Sequence, residues 1–276
     1  MLTDGGMLSD LTKLNFRLKA IKLPVSWQKP EQGDPWDMYQ YALPEFDGPD
    51  PMRLFTPATI QKFHVKAVKD VSQLYEDYID GITGAIAGAV GDFMKQCQFT
   101  AGIITGPVGV ITPGSLQGPP IGDPIKANGP RATEMEGKYT DAIGKTLGMA
   151  WKAWHMGAAG VVPFPPTFAA CPSPVHPPTP NIPLPIIALP SPGLSLMLPA
   201  ALKQVMILQL NIAEAIHHID FFDAVANAVA QLFQVWLGMT QISIQGTGPV
   251  PTFAPPFVPV GPVLGGNVIP KPGSLV

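Results

Sequence analysis

Residues 199–239 read PAALKQVMILQLNIAEAIHHIDFFDAVANAVAQLFQVWLGM, and the chain then runs to Val276 as TQISIQGTGPVPTFAPPFVPVGPVLGGNVIPKPGSLV. The first part carries apolar residues at helical spacing and opens on Pro199, a residue favoured at the first helical position. The second alternates Val, Ile and Phe with Gly and Pro, which favours short strands or extended coil over helix. No Asp, Glu, Lys or Arg occurs from Ala224 to Pro270. A helical segment followed by an uncharged tail is the unit to look for elsewhere.

It recurs. Pro57 and Pro199 precede Asp80-Gly81-Ile82 and Asp223-Ala224-Val225 by 23 and 24 residues. Thirteen residues beyond each Asp stands an aromatic, Phe93 or Trp236. Thr105-Gly106-Pro107-Val108 then matches Thr247-Gly248-Pro249-Val250, and both tails carry Pro-Gly-Ser-Leu, at 113–116 and 272–275. A trimmed copy lies between them. Asp141-Ala142-Ile143 is followed thirteen residues later by Trp154, and Pro166-Thr167-Phe168-Ala169 matches Pro251-Thr252-Phe253-Ala254. Only 11 residues separate Pro130 from Asp141. The expected fold is therefore mainly α: helical hairpins with Pro/Gly-rich extended or short-β tails, in three internal repeat units. These occupy 57–129, 130–198 (shortened) and 199–276, behind an N-terminal helix and arm at 1–56. Such units bury one another's apolar faces, and three of them in one chain imply pseudo-threefold symmetry.

Within this frame, Leu11, Leu14, Leu18 and Ile21 predict a short amphipathic helix capped by Ser9 or Asp10 and ended by Pro24. From Pro24 to Pro57 the prolines forbid a long helix. Trp27, Trp36, Tyr39, Tyr41 and Phe46 there suggest an extended aromatic arm, laid on a neighbour or wrapped on its own domain. Thr56-Pro57 signals a helix start, and Ala58 to Cys97 reads as two helices broken near Asp80-Gly81. Gly81, Gly84, Gly88 and Gly91 share a face, and since each interior Gly costs about 1 kcal/mol against Ala, they predict close approach of another helix. Pro130 opens the second helical run. The first tail predicts edge-type strands or coil, and the proline-rich tail after it excludes helix and any central strand.

Composition narrows the function. Charged residues are 13% against about 25% in an average domain, which leaves too little polar surface to coat a monomer and points to burial in an oligomer. Net charge is −3, with no basic aromatic patch for nucleic acid. Cys97 and Cys171 sit in apolar settings and read as buried thiols. The start, MLTDGGMLSD, shows no secretory signal pattern, so synthesis in the cytoplasm is expected. Phosphate-cradling loops, GxSxG elbows and HExxH are absent. Cys171 and His176 make a poor nucleophile and base in Pro-rich chain. Glu214, His217 and His218 form a Glu-x-x-His pattern that could bind metal in a helix bundle. The second such motif that a di-metal site needs is missing, so they read first as a polar rim at a helix turn. The chain thus reads as non-enzymatic, without catalytic residues, cofactor or metal.

Units such as Asp223 to Thr247-Gly248-Pro249-Val250 resemble small virion structural proteins of contractile-tailed bacteriophages, in which an Ala/Gly-rich helical segment leads into a Thr/Gly/Pro/Val tail. The resemblance covers most of residues 57–276, is compositional, and carries no functional residue with it. It implies a neck, tail or baseplate component of the virion, with partners among copies of itself and other structural proteins. The alternative is a membrane-inserted protein using Phe221–Met239, 19 residues with one charge, Asp223.

Overall fold

The computed structural model describes residues 2–23, 54–55, 62–212, 217–251, 253–254 and 258–276. Helices and short strands in sheets make up the chain, as expected. Three long helices, α2 (Lys62–Gln96), α4 (Glu134–Gly157) and α6 (His218–Met239), converge side by side. Three short ones, α1 (Gly5–Arg17), α3 (Gly122–Asn128) and α5 (Pro199–Leu210), fill the grooves between them. Helix α1 packs on α2 and α6, α3 on α4 and α2, and α5 on α6 and α4.

The long helices meet in one register. Two residues before Asp80, Asp141 and Asp223 stand Tyr78, Tyr139 and Phe221, whose rings form a closed triangle with centroids 6.2, 5.8 and 5.6 Å apart. Further layers follow at equal offsets from the three Asp residues: Ile82, Ile143 and Val225; Ile86, Leu147 and Val229; Val90, Trp151 and Phe233; Phe93, Trp154 and Trp236. All twelve are buried. Trp154 lies 5.4 Å from Trp236 between ring centroids, and Trp236 Nε1–H donates to Met94 Sδ at 3.2 Å. Apolar residues at steps of about four along each helix bury one stripe, and equal steps on three helices stack those stripes into layers.

Several expectations change here. Helix α2 runs unbroken through Asp80-Gly81; a Cβ on Gly81 would lie 2.5 Å from Pro130 Cγ, so the glycine makes room for Pro130 rather than breaking the helix. The close approach expected of this glycine face holds only in part: a Cβ on Gly5, at the start of α1, would lie 3.1 Å from Gly84 Cα, but Gly84, Gly88 and Gly91 each have open space where their own Cβ would be. Helix α1 is capped by Asp4 and buries Leu8, Ser9, Thr12 and Phe16; Leu14 and Leu18 are exposed. The polar pair is tolerated inside because Ser9 Oγ donates to Asp80 and Thr12 Oγ1 to Leu8 O. Helix α4 starts three residues beyond the expected point, at Thr133 with its Glu136 capping box, and Pro130 is packing instead. The arm aromatics Trp27, Trp36, Tyr39, Tyr41 and Phe46, and the Thr56-Pro57 start, lie outside the described residues.

Each long helix delivers its tail to a common sheet. Strands β2 (Ile103–Thr105) and β3 (Val108–Ile111) follow α2, β5 (Gly160–Pro163) and β6 (Val175–Pro180) follow α4, and β9 (Gln245–Pro249) and β12 (Leu264–Ile269) follow α6. The remaining short strands pair off separately: β1 (Gln98–Phe99) with β4 (Leu116–Gln117), β7 (Leu184–Pro185) with β8 (Gln241–Ile242), and β10 (Phe253–Ala254) with β11 (Val258–Pro259). The antiparallel order is β5-β3-β2-β12-β9-β6. Its edges curl towards each other, and Ile182 N–H, just past β6, donates to Pro163 O of β5 at 2.9 Å. Phe164 fills the inside: Cβ atoms on Gly109 of β3 and on Gly246 of β9, three strands apart, would each meet its ring. The proline-rich β5 and β6 stay at the edges, where absent N–H groups cost least. The first tail, expected at an edge, supplies inner strands, because Gly102 and Gly109 admit the neighbouring Val268, Ile111 and Phe164 side chains.

Where helices meet sheet, hydrogen bonds repeat in a cycle. Within each tail a residue past the helix donates to the returning segment: Thr100 N–H to Ser115 O (2.8 Å), Ala159 N–H to Pro190 O (3.1 Å), Ser243 N–H to Ser274 O (2.9 Å). Between tails, Gly114 N–H donates to Met156 O, Ile186 N–H to Thr240 O, and Ser274 N–H to Cys97 O. The shared Pro-Gly-Ser-Leu segments hold matching places, and Gly114 and Gly273 both take positive φ, 83° and 72°, where a side chain is strained.

Two substitutions test this core. Phe221→Ala removes one side of the aromatic triangle and should cost about 3–5 kcal/mol. Gly246→Ala drives a Cβ into Ile104 and Phe164 and should cost about 1–3 kcal/mol. Both are measured by urea unfolding, and unchanged midpoints would contradict the packing described.

Candidate interaction surface

Charge divides the molecule in two. No Asp, Glu, Lys or Arg lies between Lys95 and Asp123, between Lys152 and Lys203, or between Asp223 and Lys271. Those intervals supply every strand of the sheet. The ion pairs belong to the helices: Lys13 with Asp80 at 2.7 Å, Lys203 with Asp223 at 2.9 Å, Lys19 also with Asp223, and Arg131 with Asp141. The three register-marking Asp residues are thus each tied to a cation from a neighbouring segment.

The outer face of the sheet is apolar over β5, β3 and β2. Val161, Val110 and Ile103 lie side by side on β5, β3 and β2, joined through the pairs Val110↔Val161 and Ile103↔Val110. They are 54%, 45% and 59% exposed. The next outward row places Val108 opposite Thr105, and Thr105 opposite Leu264 of β12. Strand alternation forces this: Ile104 and Gly109 point inward, so their neighbours must point out. Contiguous exposed apolar rows on a soluble surface mark a contact face.

The sequence candidates fare differently. Glu214 lies outside the described residues. His217 precedes α6 in a left-handed conformation (φ 58°) with its ring 5.8 Å from Phe55, and His218 stands 6.4 Å from Phe222. Burial lowers the His217 pKa against the pull of Asp220, which favours the neutral ring. Among the described residues no three His, Cys, Asp or Glu side chains gather as a metal would require. Cys171 and His176 are both buried, but His176 is spoken for: Nδ1–H donates to Pro177 O at 2.8 Å and Nε2 accepts from Thr167 Oγ1 at 3.1 Å, with Phe168 stacked at 3.8 Å. It orders the turn between β5 and β6. Both thiols are buried and free, and burial pushes the Cys97 thiol up to about 11. Among the described helices none is long and apolar enough to cross a membrane. The apolar Phe221–Met239 run lies within α6, where twelve of its residues are packed in the core.

The open grooves are shallow recesses beside the short helices. One of about 540 Å³ lies between α5 and α6, bordered by Lys203, Ile207, Asp223 and Asn227. Another of about 400 Å³ lies over Trp151, Lys152 and His155, where His155 Nδ1–H donates to Leu116 O at 3.0 Å. Neither gathers an acid, base and nucleophile. The apolar outer rows were the part missed in sequence, since only the strand register reveals which Val and Ile face out. No family model, curated protein or solved structure matches the chain.

Two chemical predictions follow from burial and charge. Burial raises the Asp223 carboxyl, but hydrogen bonds and charge from Lys19 and Lys203 outweigh it and hold the pKa below the ordinary value. Its stabilising contribution is therefore full above the unfolded carboxylate pKa and lost as pH falls through the folded one. Thermal unfolding should lose stability below about pH 4, and Asp223→Asn should be weaker at neutral pH with a shallower acid decline. Native protein should resist iodoacetamide at Cys97 and react only after unfolding, read by mass spectrometry.

Proposed function

We propose that this chain is a non-enzymatic structural component of a large symmetric assembly, built from three copies of one unit: short helix, long helix and a two-strand tail. The equal register of five layers and the cyclic hydrogen bonds at the helix–sheet junction support the repeat. By packing, the first unit includes α1, so it draws on residues 1–56 and ends before 122 rather than at 129; the other two are α3–β6 and α5–β12. Each short helix and its long partner form a hairpin-like pair.

The observation that carries the assembly reading is the uncharged sheet domain with its exposed apolar rows. Charge keeps a surface solvated and discourages association; this half of the molecule has none. Among the described residues the ion pairs lie in the helical half, which is the solvated part. A virion of a contractile-tailed bacteriophage is the setting that the sequence resemblance suggests, with neck, tail or baseplate as the position.

The test exploits the outer row. Ile103→Lys with Val161→Lys places two charges on an outward face and should leave far-UV circular dichroism and the melting temperature nearly unchanged. The substituted chain should no longer enter the assembly that the wild type forms in its native source, as read by native mass. Wild-type chain recovered only as a monomer would overturn the proposal.

A further inference from the structure

Two of the three grooves between long helices are closed at the sheet end by a connector of the same design. Past α2, Thr100 N–H donates to Ser115 O; past α4, Ala159 N–H donates to Pro190 O. Three residues beyond each acceptor stands a glycine, Gly118 or Gly193, seated on the last core layer of that helix. A Cβ on Gly118 would lie 2.5 Å from the Phe93 ring, and one on Gly193 2.5 Å from Trp154 N. Pro119 and Pro120 then lead into α3, and the 3-10 turn Pro192–Met197 leads into α5. The third tail starts the same course, with Ser243 N–H donating to Ser274 O. Leu275 and Val276 lie opposite Ile242 and Gln241, as Leu116 and Gln117 lie opposite Phe99 and Gln98. Over Trp236, however, none of the described glycines takes the place of Gly118 and Gly193.

The helix surface at that place is apolar. Twelve and sixteen residues beyond its register Asp, α2 shows Asp92 and Gln96, polar and exposed. At the same offsets α4 has Ala153 and Gly157, small residues that admit Gly193 and Ser191. Helix α6 has Val235 and Met239, one turn apart on one face and 49% and 54% exposed. Val276, bonded to Gln241 just past them, is 64% exposed. We infer that this strip at the end of α6 binds an extended, uncharged segment of a partner protein, containing Gly and Pro and seated as Pro192–Met197 is on α4. Glycine is required because backbone must approach the aromatic layer closely, and proline supplies an extended shape that costs little entropy to bind. The strip offers a charge no counter-ion, so a charged segment would lose solvation for nothing. A second copy is a poor donor, because its matching segments, 118–121 and 192–197, are already seated in their own grooves. None of these residues lies on the outer rows of the sheet, so the inference goes beyond the assembly reading.

The probe is a synthetic peptide, SPGLSLM, with the sequence of residues 191–197, titrated into full-length chain labelled at its methionine methyls. The Met239 resonance should shift saturably. Val235→Lys, checked for folding by circular dichroism, should weaken binding about tenfold, and the peptide carrying Gly193→Leu should not bind. No saturable shift, equal binding of the leucine peptide, or wild-type affinity in Val235→Lys would overturn the inference. Within the assembly from the native source, a photo-crosslinker in place of Met239 should join a partner protein at an uncharged segment containing Gly and Pro. Crosslinks confined to this chain or to a second copy would overturn the inference and leave the sheet-face reading standing.

Discussion

Three helices can share one axis only if their apolar residues fall at the same heights, and the rest of this structure depends on that constraint. Tyr78, Tyr139 and Phe221 close the first layer and Phe93, Trp154 and Trp236 the last, each set at a fixed distance from an Asp. With the layers level, the three helices finish near the same height. Their tails leave together and find hydrogen-bond partners in one another. A buried backbone without partners would be costly, and none of these short tails could form a stable sheet alone. Interleaving them solves both problems.

The division of labour between Pro and Gly follows from the same geometry. Proline lacks the ladder donor, and Pro177, Pro178 and Pro180 sit in β6, at an edge of the sheet. Glycine admits a neighbour's side chain, and Gly102, Gly109 and Gly246 line the crowded inside. Curling brings the two edges together, which blunts a surface that would otherwise invite strand pairing. What stays open is the outer face, and there the chain carries aliphatic groups and no charge. Among the described residues, Lys19, Lys203, Lys13 and Arg131, on the helices or beside their ends, tie down the three register Asp residues.

Much of this was legible as spacing. The equal offsets from Asp80, Asp141 and Asp223 put Phe93, Trp154 and Trp236 all in the buried core, and in the two Pro-Gly-Ser-Leu segments Gly114 and Gly273 both take positive φ. Other matches mislead. Thr105-Gly106-Pro107-Val108 turns a hairpin, with Gly106 at φ 55°, while Thr247-Gly248-Pro249 runs on as strand β9. Pro199 opens a short helix that packs on α6 and α4 as α1 packs on α2 and α6. Identity of four residues does not distinguish a turn from a strand, because Gly permits both; offset along a helix does distinguish layers, because helical rise per residue is constant.

The sequence by itself determined that the chain is mainly helical with uncharged tails, that both thiols are buried, and that equal offsets follow Asp80, Asp141 and Asp223, since each follows from local periodicity or composition. Only the tertiary structure decided that the tails pair with one another, that β2 and β3 lie inside the sheet, and which Val and Ile side chains face outward. Strand partners are chosen between residues more than a hundred positions apart, as Asn267 with Ile103 shows. A strand's two faces look alike until such a pairing assigns one of them to the core.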